Sequence, residues 1–265
     1  MLPKRLYKFE RINVQTLRNL KNAQVYFNTP ASFNDPFDCS VLEASVILGD
    51  NEVVEIYKRF LKGKNKLANI EINSVKDIPK DEIDRIHEAF EENLKAQQNK
   101  ILTQTGCTCF SEVKDNVLLW SHYADGHKGI CLEFDTSVPL FDKVKEVEYS
   151  QKFPSINPIK MLFGSKDEIS EEWLKPICTK YECWNYEKEW RVFHEKPNIE
   201  FGYSVEALIS VYFGLSVNFT DLEIVCLTLL GQSKDIKFYK AHKDKSTYAL
   251  SFEEFTYTPY LEVKK

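Results

Sequence analysis

The sequence predicts an α+β fold with a curved or split mixed β-sheet, surrounding helices and one helical insertion. Short apolar runs typical of strands dominate the chain from about residue 107 onward. Helical patterns interrupt these runs at irregular intervals, which argues against a doubly wound parallel sheet. Residues 43–104 are different, because they carry long, highly charged amphipathic patterns. We therefore expect a single domain over residues 1–265, with the helical insertion at about 43–104.

The N-terminal elements follow from local patterns. The run RLYKF alternates like a strand, Val14–Leu20 has the spacing of a short helix, and Val25–Phe27 continues as a second strand. The next segment, TPASFNDPFDCS, combines two prolines with several Asn and Asp residues, all of which favour turns. It predicts an ordered loop.

Two long helices are expected in the insertion, within DNEVVEIYKRFL and PKDEIDRIHEAFEENLKAQQNKIL. Both segments have apolar residues three and four positions apart, which is the spacing of one helix face. In the second segment the predicted apolar stripe consists of Ile83, Ile86, Phe90 and Leu94.

Later elements are mainly strands, with helices at about 115–124 and 166–180 and a third in NFTDLEIVCLTLLG. Pro176 bends or ends the second of these helices, since proline cannot donate a backbone hydrogen bond. The third begins at an Asn/Thr/Asp cap and stops at Gly231. The strands are expected in CTCFSE, GICLEFD, VKEVEYS, EWRVFHE, LISVYFG, IKFYKAH and TYALSFEEF.

Composition bounds the class of protein. The chain has 265 residues, is 43% hydrophobic and 28% charged, and carries a formal charge of −5. This charge disfavours non-specific nucleic-acid binding, and no run of eighteen or more apolar residues predicts a membrane span. The N-terminus also lacks the apolar core of a signal peptide. We expect a soluble, cytoplasmic protein without a membrane partner.

The cysteines favour reduced thiols, because seven is an odd number and they are scattered through apolar runs. Cys107 and Cys109 share one face of a strand, and with His122 or Cys131 they would make half a zinc site. Buried small side chains explain them better, so no metal is expected.

The segment WSHYADGHKGICLEFD predicts a helix, a tight turn and a strand, with Trp120 and Tyr123 facing inward. His122 and His127 are five positions apart with the helix ending between them, so they lack the spacing of paired metal ligands. For His122, structural and functional roles stay equally open. His127 is expected to bond loop backbone.

Two further groups of polar residues are candidates. Glu187, Glu189 and Arg191 would share one face of a strand, as a solvent-exposed face with a salt bridge or as the acidic rim of a cleft. The solvent-exposed face is favoured. Asn34, Asp35 and Asp38 could serve as ligands, but a turn rigidified by Pro36 explains them without a function. That turn is the favoured interpretation.

The motifs VYFNTPASFNDPFDC, WSHYADGHKGICLEFD and YEKEWRVF, in this order after LYKF, resemble a bacterial and phage domain family of unknown function. The resemblance spans almost the whole chain. It implies a protein that sits among toxins or phage-defence effectors, and it supplies no activity.

The same motifs have a weaker similarity to ADP-ribosyltransferases, which implies an ADP-ribosyltransferase-like sheet and NAD as the substrate. On this similarity Glu189 is the catalytic carboxylate and Glu187 its upstream partner in an E-x-E pair. Tyr123 would stack on nicotinamide, and Ser111 stands at the serine position. Lys8 occupies the place of the usual His or Arg. The remaining pocket candidates are Tyr7, His122, Asn34, Asp35, Asp38, Trp120 and Arg191.

The resemblance therefore implies NAD-dependent ADP-ribosyl transfer or NAD cleavage, with a small-molecule nucleotide as partner and an acceptor that the sequence does not identify. Two alternatives stay open. A metal-dependent nuclease or hydrolase would use His122, Asp125, Glu187, Glu189 and Asp35 as ligands for Mg²⁺ or Mn²⁺. A non-catalytic sensor or binding module would use the aromatic-rich motifs as a partner surface or nucleotide pocket.

Overall fold

A computed structural model describes most of the chain. The described residues are 1–40, 48–63, 71–232 and 235–259. The chain divides into two compact units, of which the first comprises residues 1–29, 106–147 and 184–265 and the second residues 30–105 and 148–183. The described part of the expected insertion at 43–104 lies in the second unit, together with the later segment 148–183. The single-domain partition stays a prediction.

The secondary structure is α+β. The helices are α1 (Val14–Lys21), α2 (Asp50–Gly63), α3 (Lys80–Gln104), α4 (Val117–Tyr123), α5 (Pro158–Phe163), α6 (Lys166–Ile177) and α7 (Phe219–Leu230). The strands are β1 (Arg5–Glu10), β2 (Gln24–Phe27), β3 (Gly106–Ser111), β4 (Ile130–Asp135), β5 (Lys145–Glu146), β6 (Glu148–Ser150), β7 (Thr179–Tyr181), β8 (Glu189–His194), β9 (Ile199–Gly202), β10 (Leu208–Phe213), β11 (Lys237–Lys243) and β12 (Leu250–Phe255).

The first unit is built on an eight-stranded sheet in the order β12-β11-β10-β4-β1-β3-β8-β5. Its ladders are antiparallel except for the parallel pair of β10 and β11, so the sheet is mixed. A separate two-stranded ladder joins β2 to β9. The prediction of an α+β fold with a mixed sheet is confirmed.

One face of this sheet carries the main hydrophobic core of the first unit. Leu6, Phe134 and Phe213 from the strands pack with Leu20 of α1 and Val225 of α7. Both helices begin after an asparagine cap, of which only that of α7 was predicted: the side chain of Asn13 accepts a hydrogen bond from the backbone N–H of Thr16, and that of Asn218 from Asp221. These caps satisfy backbone N–H groups that the first helical turn leaves without partners.

The opposite face of the sheet packs against α4. Tyr7, Cys131 and Tyr212 from the strands form a buried cluster with Trp120 and Ala124. Side chains alternate between the two faces of a strand, so Leu6 enters the main core while its neighbour Tyr7 faces α4. This alternation brings polar side chains of several strands to the α4 side.

The second unit has its own core among α2, α3, α5 and α6. The predicted stripe of α3 is confirmed, because Phe90 and Leu94 are buried and Ile83 and Ile86 pack against the same cluster. Helix α6 ends at Ile177, three residues earlier than predicted, with Pro176 in its last turn. Residues 179–181 instead form β7, which pairs in parallel with β6. Within the described part of the chain, no helix combines the length and apolarity needed to cross a membrane.

Candidate functional site

Four polar residues lie side by side across four neighbouring strands of the large sheet. The register pairs Glu133 with Tyr7, Tyr7 with Ser111, and Ser111 with Glu189. Residues directly opposite one another in antiparallel ladders point to the same face. We call Glu133, Tyr7, Ser111 and Glu189 the polar row. With strands about 4.8 Å apart, it extends for about 14 Å.

Glu189 is held at one end of the row by Arg191, the next residue on the same face of β8. The Arg191 Nε donates to Oε1 of Glu189 at 2.8 Å, and a terminal guanidinium nitrogen donates to Oε2 at 3.1 Å. The two residues are 5% and 0% exposed. The favoured interpretation of this segment as a solvent-exposed face is therefore wrong. A bidentate contact of this kind fixes both the position and the plane of the carboxylate.

Glu187 lies beside the row but not on β8. It ends a short 3-10 segment, Glu182–Glu187, and the strand begins only at Glu189. Between them Lys188 has a φ of 45°, in the left-handed region that interrupts an extended strand. The expected strand alternation from Glu187 to Glu189 is therefore wrong. Glu187 is nevertheless buried, with 3% of its surface exposed.

Helix α4 brings Tyr123 to Glu187. Asn116 caps the start of the helix. Its side chain accepts from the backbone N–H of Leu118 at 2.9 Å and donates to the carbonyl of Tyr186 at 3.3 Å. Tyr123 is the last residue of the helix, and its hydroxyl donates to Oε1 of Glu187 at 2.7 Å. The helix aromatic and the upstream carboxylate, sixty-four positions apart in the sequence, are therefore in direct contact.

Ser111 ties the end of β3 to the segment before β8. Its hydroxyl donates to the backbone carbonyl of Glu187 at 2.5 Å and accepts from the N–H of Val113 at 3.1 Å. The backbone N–H of Glu112 also donates to the carbonyl of Lys188. Ser111 is thus a positioning residue, which keeps Glu187 next to the row.

Trp120 and His122 face in different directions from α4. Trp120 is fully buried, and its indole N–H donates to the carbonyl of Lys114 at 2.7 Å. His122 is exposed, and its ring lies 6.2 Å from that of Tyr123 and 6.4 Å from that of Trp184. Trp120 therefore anchors the helix, whereas His122 lies at the surface next to Tyr123.

Lys8 does not join the polar row. Strand alternation puts Lys8 on the face opposite to Tyr7. Its ammonium lies 5.6 Å from the ring centre of Phe110, donates to the carbonyl of Cys109 at 3.3 Å and contacts Glu10 at 3.3 Å. Tyr7, rather than Lys8, is the residue of β1 that lies opposite Ser111. Lys8, which occupies the place of the usual His or Arg in the similarity to ADP-ribosyltransferases, thus lies on the other face of the sheet from Ser111 and Glu189.

Residues 119–192 match the family model of a protein of unknown function (DUF2971). This segment contains Tyr123, Glu187, Glu189 and Arg191, together with most of the two later motifs on which the resemblance to an uncharacterised family was based. The resemblance to an uncharacterised family is confirmed for this segment. No curated protein and no solved structure matches the chain. The similarity to ADP-ribosyltransferases stays a hypothesis.

At the other end of the polar row, which no sequence motif indicated, Glu133 of the DUF2971 segment contacts two tyrosines. The Tyr212 hydroxyl donates to one oxygen of Glu133 at 2.7 Å, and the Tyr7 hydroxyl lies 3.4 Å from the other. Burial, with the neighbouring Glu133, raises the pKa of both tyrosines. The alternation of GICLEFD puts Glu133 on one face with Cys131, but it does not show which tyrosines lie opposite.

A lysine lies above these tyrosines. The Lys114 ammonium is 5.3 Å from the ring centre of Tyr7 and 5.4 Å from that of Tyr212. A cation at this distance from an aromatic face is attracted to it. The row therefore carries carboxylates at both ends and a positive charge above Tyr7.

The motif FNDPFD lies outside the DUF2971 segment and in the second unit. Asn34 is exposed, and Oδ1 of Asp35 accepts from the backbone N–H of Phe37 at 2.9 Å, which is the bonding of the predicted turn. Asp38 is buried and forms an ion pair with Lys180 at 3.6 Å. The structure thus gives Asp35 a partner within the turn and Asp38 a partner on β7.

The residues of the metal-dependent alternative do not form a ligand set in the described structure. His122 and Asp125 are exposed, whereas Glu187 and Glu189 are buried against Tyr123 and Arg191. The described residues contain no group of three or more His, Cys, Asp or Glu side chains placed to hold a metal ion. No disulfide joins any of the seven cysteines, all of which lie in the described ranges. No observation favours the metal-dependent alternative.

Proposed function

We propose that this protein cleaves the bond between nicotinamide and ribose in NAD and transfers the ADP-ribosyl group, with Glu189 as the catalytic carboxylate. The observation that carries the proposal is the polar row. Tyr7, Ser111 and Glu189 are direct register partners on three adjacent strands, so three of the residues named by the similarity to ADP-ribosyltransferases lie side by side. The contact of Tyr123 with Glu187 adds the helix aromatic and the E-x-E pair.

The chemistry suits a fixed, buried carboxylate. When the bond to the ribose carbon breaks, nicotinamide leaves with the electron pair and the sugar develops the charge of an oxocarbenium ion. A carboxylate beside that carbon stabilises the charge, and it does so more strongly where water is excluded. Arg191 keeps the Glu189 carboxylate in one orientation through two hydrogen bonds. Less reorganisation is then needed as the charge develops.

Glu187 and Tyr123 suit the second half of the reaction. The acceptor, or water, attacks the sugar carbon and must lose a proton, and a nearby carboxylate is a suitable general base. Glu187 can take that role while the Tyr123 hydroxyl holds its side chain in place. The half-buried Tyr123 ring is also available for stacking on nicotinamide.

Other groups of the row suit the remaining parts of NAD. Carboxylates accept hydrogen bonds from ribose hydroxyls, which Glu189 would do next to the scissile bond. The ammonium of Lys114, above Tyr7 and Tyr212, supplies positive charge for a phosphate group. This donor and acceptor set is consistent with a nucleotide substrate.

The first test measures nicotinamide release from NAD, with and without chelator, for the wild type, Glu189→Gln and Glu195→Gln. Glu195 is exposed and follows β8, so its substitution is the matched control. We expect release that resists the chelator, falls at least about 100-fold in Glu189→Gln and persists in Glu195→Gln. Circular dichroism spectra establish that each variant is folded.

Two results would contradict the proposal. One is a folded Glu189→Gln variant that releases nicotinamide at the wild-type rate. The other is a wild type that neither releases nicotinamide nor binds NAD in equilibrium dialysis. The dialysis covers the case in which the acceptor is absent from the assay, because substrate binding does not depend on it.

Two substitutions of Tyr123 distinguish its proposed role in stacking on nicotinamide from its proposed role in positioning Glu187. Tyr123→Phe keeps the ring but removes the hydrogen bond to Glu187, so we expect kcat to fall about tenfold, which corresponds to about 1.4 kcal/mol, with KM unchanged. Tyr123→Leu removes the ring as well and should also raise KM. Steady-state kinetics of nicotinamide release measure both constants. Equal kinetics for Tyr123→Phe and the wild type would remove the positioning role.

A further inference from the structure

The second unit contains a cavity with a volume of about 260 Å³ that the proposed function does not use. Three aromatic side chains line it, and they are unusually exposed: Phe37 by 62%, Tyr181 by 52% and Phe153 by 41%. The ring centres of Phe37 and Phe153 are 6.4 Å apart. Aromatic side chains gathered around one cavity and left open to solvent are typical of a binding surface.

The charge of the lining points to an anion. Lys152 and Lys180 both line the cavity, and none of the lining residues that the structure describes carries a carboxylate. This local excess of positive charge stands in a chain whose formal charge is −5. Lys152 is exposed, whereas Lys180 is 5% exposed and is paired with the buried Asp38 at 3.6 Å. Lys152 is therefore the cation that solvent and ligands reach most readily.

Local structure holds the walls in place. The parallel pairing of β6 with β7 puts Ser150 opposite Tyr181, and the turn at Asp35 fixes the backbone of Phe37. Just after β6, the amide of Gln151 donates to Glu182 at 2.7 Å. A wall that is already ordered loses little freedom when a ligand binds.

The volume limits the size of the ligand. Sites for drug-sized molecules have volumes of roughly 300 to 1,000 Å³, so this cavity suits a single small ring system. Aromatic walls favour a planar ring, and the lysines favour a negative charge on it. We propose that the cavity binds a small planar aromatic compound that carries a carboxylate or phosphate, with the ring between Phe37, Phe153 and Tyr181 and the anion at Lys152.

The test compares two probes of nearly the same size and shape, the anion 2-naphthoate and the neutral 2-naphthamide, by isothermal titration calorimetry of the full chain. We expect 2-naphthoate to bind with a Kd of about 1 mM or tighter, which is ordinary for a ligand of this size, and about tenfold more tightly than 2-naphthamide. Lys152→Gln should abolish that difference and leave the binding of 2-naphthamide unchanged.

Substitutions of phenylalanine locate the probe. Phe153→Ala should weaken both probes at least about fivefold. Phe163→Ala is the matched control, because Phe163 is also 41% exposed, belongs to the same unit and does not line the cavity. It should bind both probes like the wild type. Both substitutions are at exposed positions, and circular dichroism checks that the variants fold.

Three results would overturn the proposal. They are no binding of either probe at 5 mM, equal effects of Phe153→Ala and Phe163→Ala, and equal affinity of the wild type for the two probes. The inference is independent of the proposed function. Nicotinamide release by Lys152→Gln and Phe153→Ala is expected to equal that of the wild type, so failure of one proposal leaves the other unaffected.

Discussion

Among the described residues, each unit contains a buried ion pair, Arg191 with Glu189 in the first unit and Lys180 with Asp38 in the second, and the two pairs differ in geometry. The guanidinium contacts both oxygens of Glu189, at 2.8 and 3.1 Å. The ammonium of Lys180 lies 3.6 Å from one oxygen of Asp38, beyond ordinary hydrogen-bond length. The planar fork of arginine matches a carboxylate, whereas lysine acts as a point charge.

The pairs also differ in origin. Arg191 and Glu189 are two positions apart on one strand, so strand geometry alone sets them side by side. Asp38 and Lys180 come from a loop and from β7, far apart in sequence, and only the folded unit brings them together. The first pair fixes the orientation of a carboxylate, while the second lies at a cavity wall. Their substitution should therefore have different consequences.

The largest effect is expected for Arg191→Met. It leaves the Glu189 carboxylate buried without its guanidinium, and removing one member of a buried pair typically costs about 3–5 kcal/mol of the free energy of unfolding. Urea denaturation followed by circular dichroism measures the loss. Arg11→Met, at an exposed position, is the control and should change the stability by less than about 0.5 kcal/mol. Equal stability of the two variants would contradict this prediction.

The double substitution Arg191→Met with Glu189→Leu distinguishes the cost of an unpaired buried charge from the cost of lost packing around Arg191. Replacing both members of a buried pair by apolar side chains is often neutral or stabilising, because no charge is then left buried. We expect the double variant to be more stable than Arg191→Met and inactive in nicotinamide release. A double variant as unstable as Arg191→Met would show that packing around Arg191, rather than charge, dominates its contribution.

A smaller loss is expected for Lys180→Met. The Lys180 ammonium lies 3.6 Å from Asp38, farther than the Arg191 guanidinium lies from Glu189, so we expect a smaller cost of about 2 kcal/mol, measured by the same urea denaturation. Lys166→Met, at an exposed position near the start of α6, is the matched control. A loss as large as that of Arg191→Met would mean that the difference in geometry has no energetic consequence.

The smallest effect concerns His127, whose Nδ1 is buried and has no hydrogen-bond partner among the described residues. Burial, and to a lesser extent Lys243, lowers the pKa of His127 below its ordinary value of 6.5. Protonation then costs more in the folded state than in the unfolded state. His127 therefore contributes stability above about pH 6.5 that is lost as the pH falls from there through its folded pKa.

His127→Asn tests this sign. His127 has a φ of 67°, which asparagine tolerates better than most residues, so the backbone is preserved. We expect the free energy of unfolding to fall less steeply between about pH 7 and pH 5 in the variant than in the wild type, as measured by urea denaturation at each pH. An unchanged or steeper fall would show that His127 does not titrate in this way.

Elements with strong local signals were predicted well. Helix α7 begins after the Asn218 cap and ends before Gly231, as expected. Strands β4 and β8 lie within their predicted runs, and β1 extends one residue beyond its run, to Glu10. Strands β7 and β9 were missed. Each is short and pairs with a segment distant in sequence, so its apolar pattern alone does not distinguish it from a loop or a helix end.

The sequence predicted which residues belong to the candidate site better than it predicted their burial and the sheet face on which they lie. Burial of Trp120 followed from the helix pattern. The burial of Glu187 and Glu189 did not, since the alternation of a strand does not reveal what covers each face. For the same reason, the sequence placed Lys8 in β1 but did not show that it lies on the face opposite to Ser111. Only the register of β1 and β3 shows which face of β1 lies beside Ser111.

The sequence by itself determined the α+β class, the cap and the end of α7, the turn at Asp35 and the local pairing of Arg191 with Glu189. All of these depend on residues a few positions apart, where backbone geometry decides which groups meet. Only the tertiary structure decided the polar row, the contact of Tyr123 with Glu187 and the pairing of Asp38 with Lys180. These contacts join segments far apart in the chain, and strand register and burial, which no local pattern encodes, bring them together.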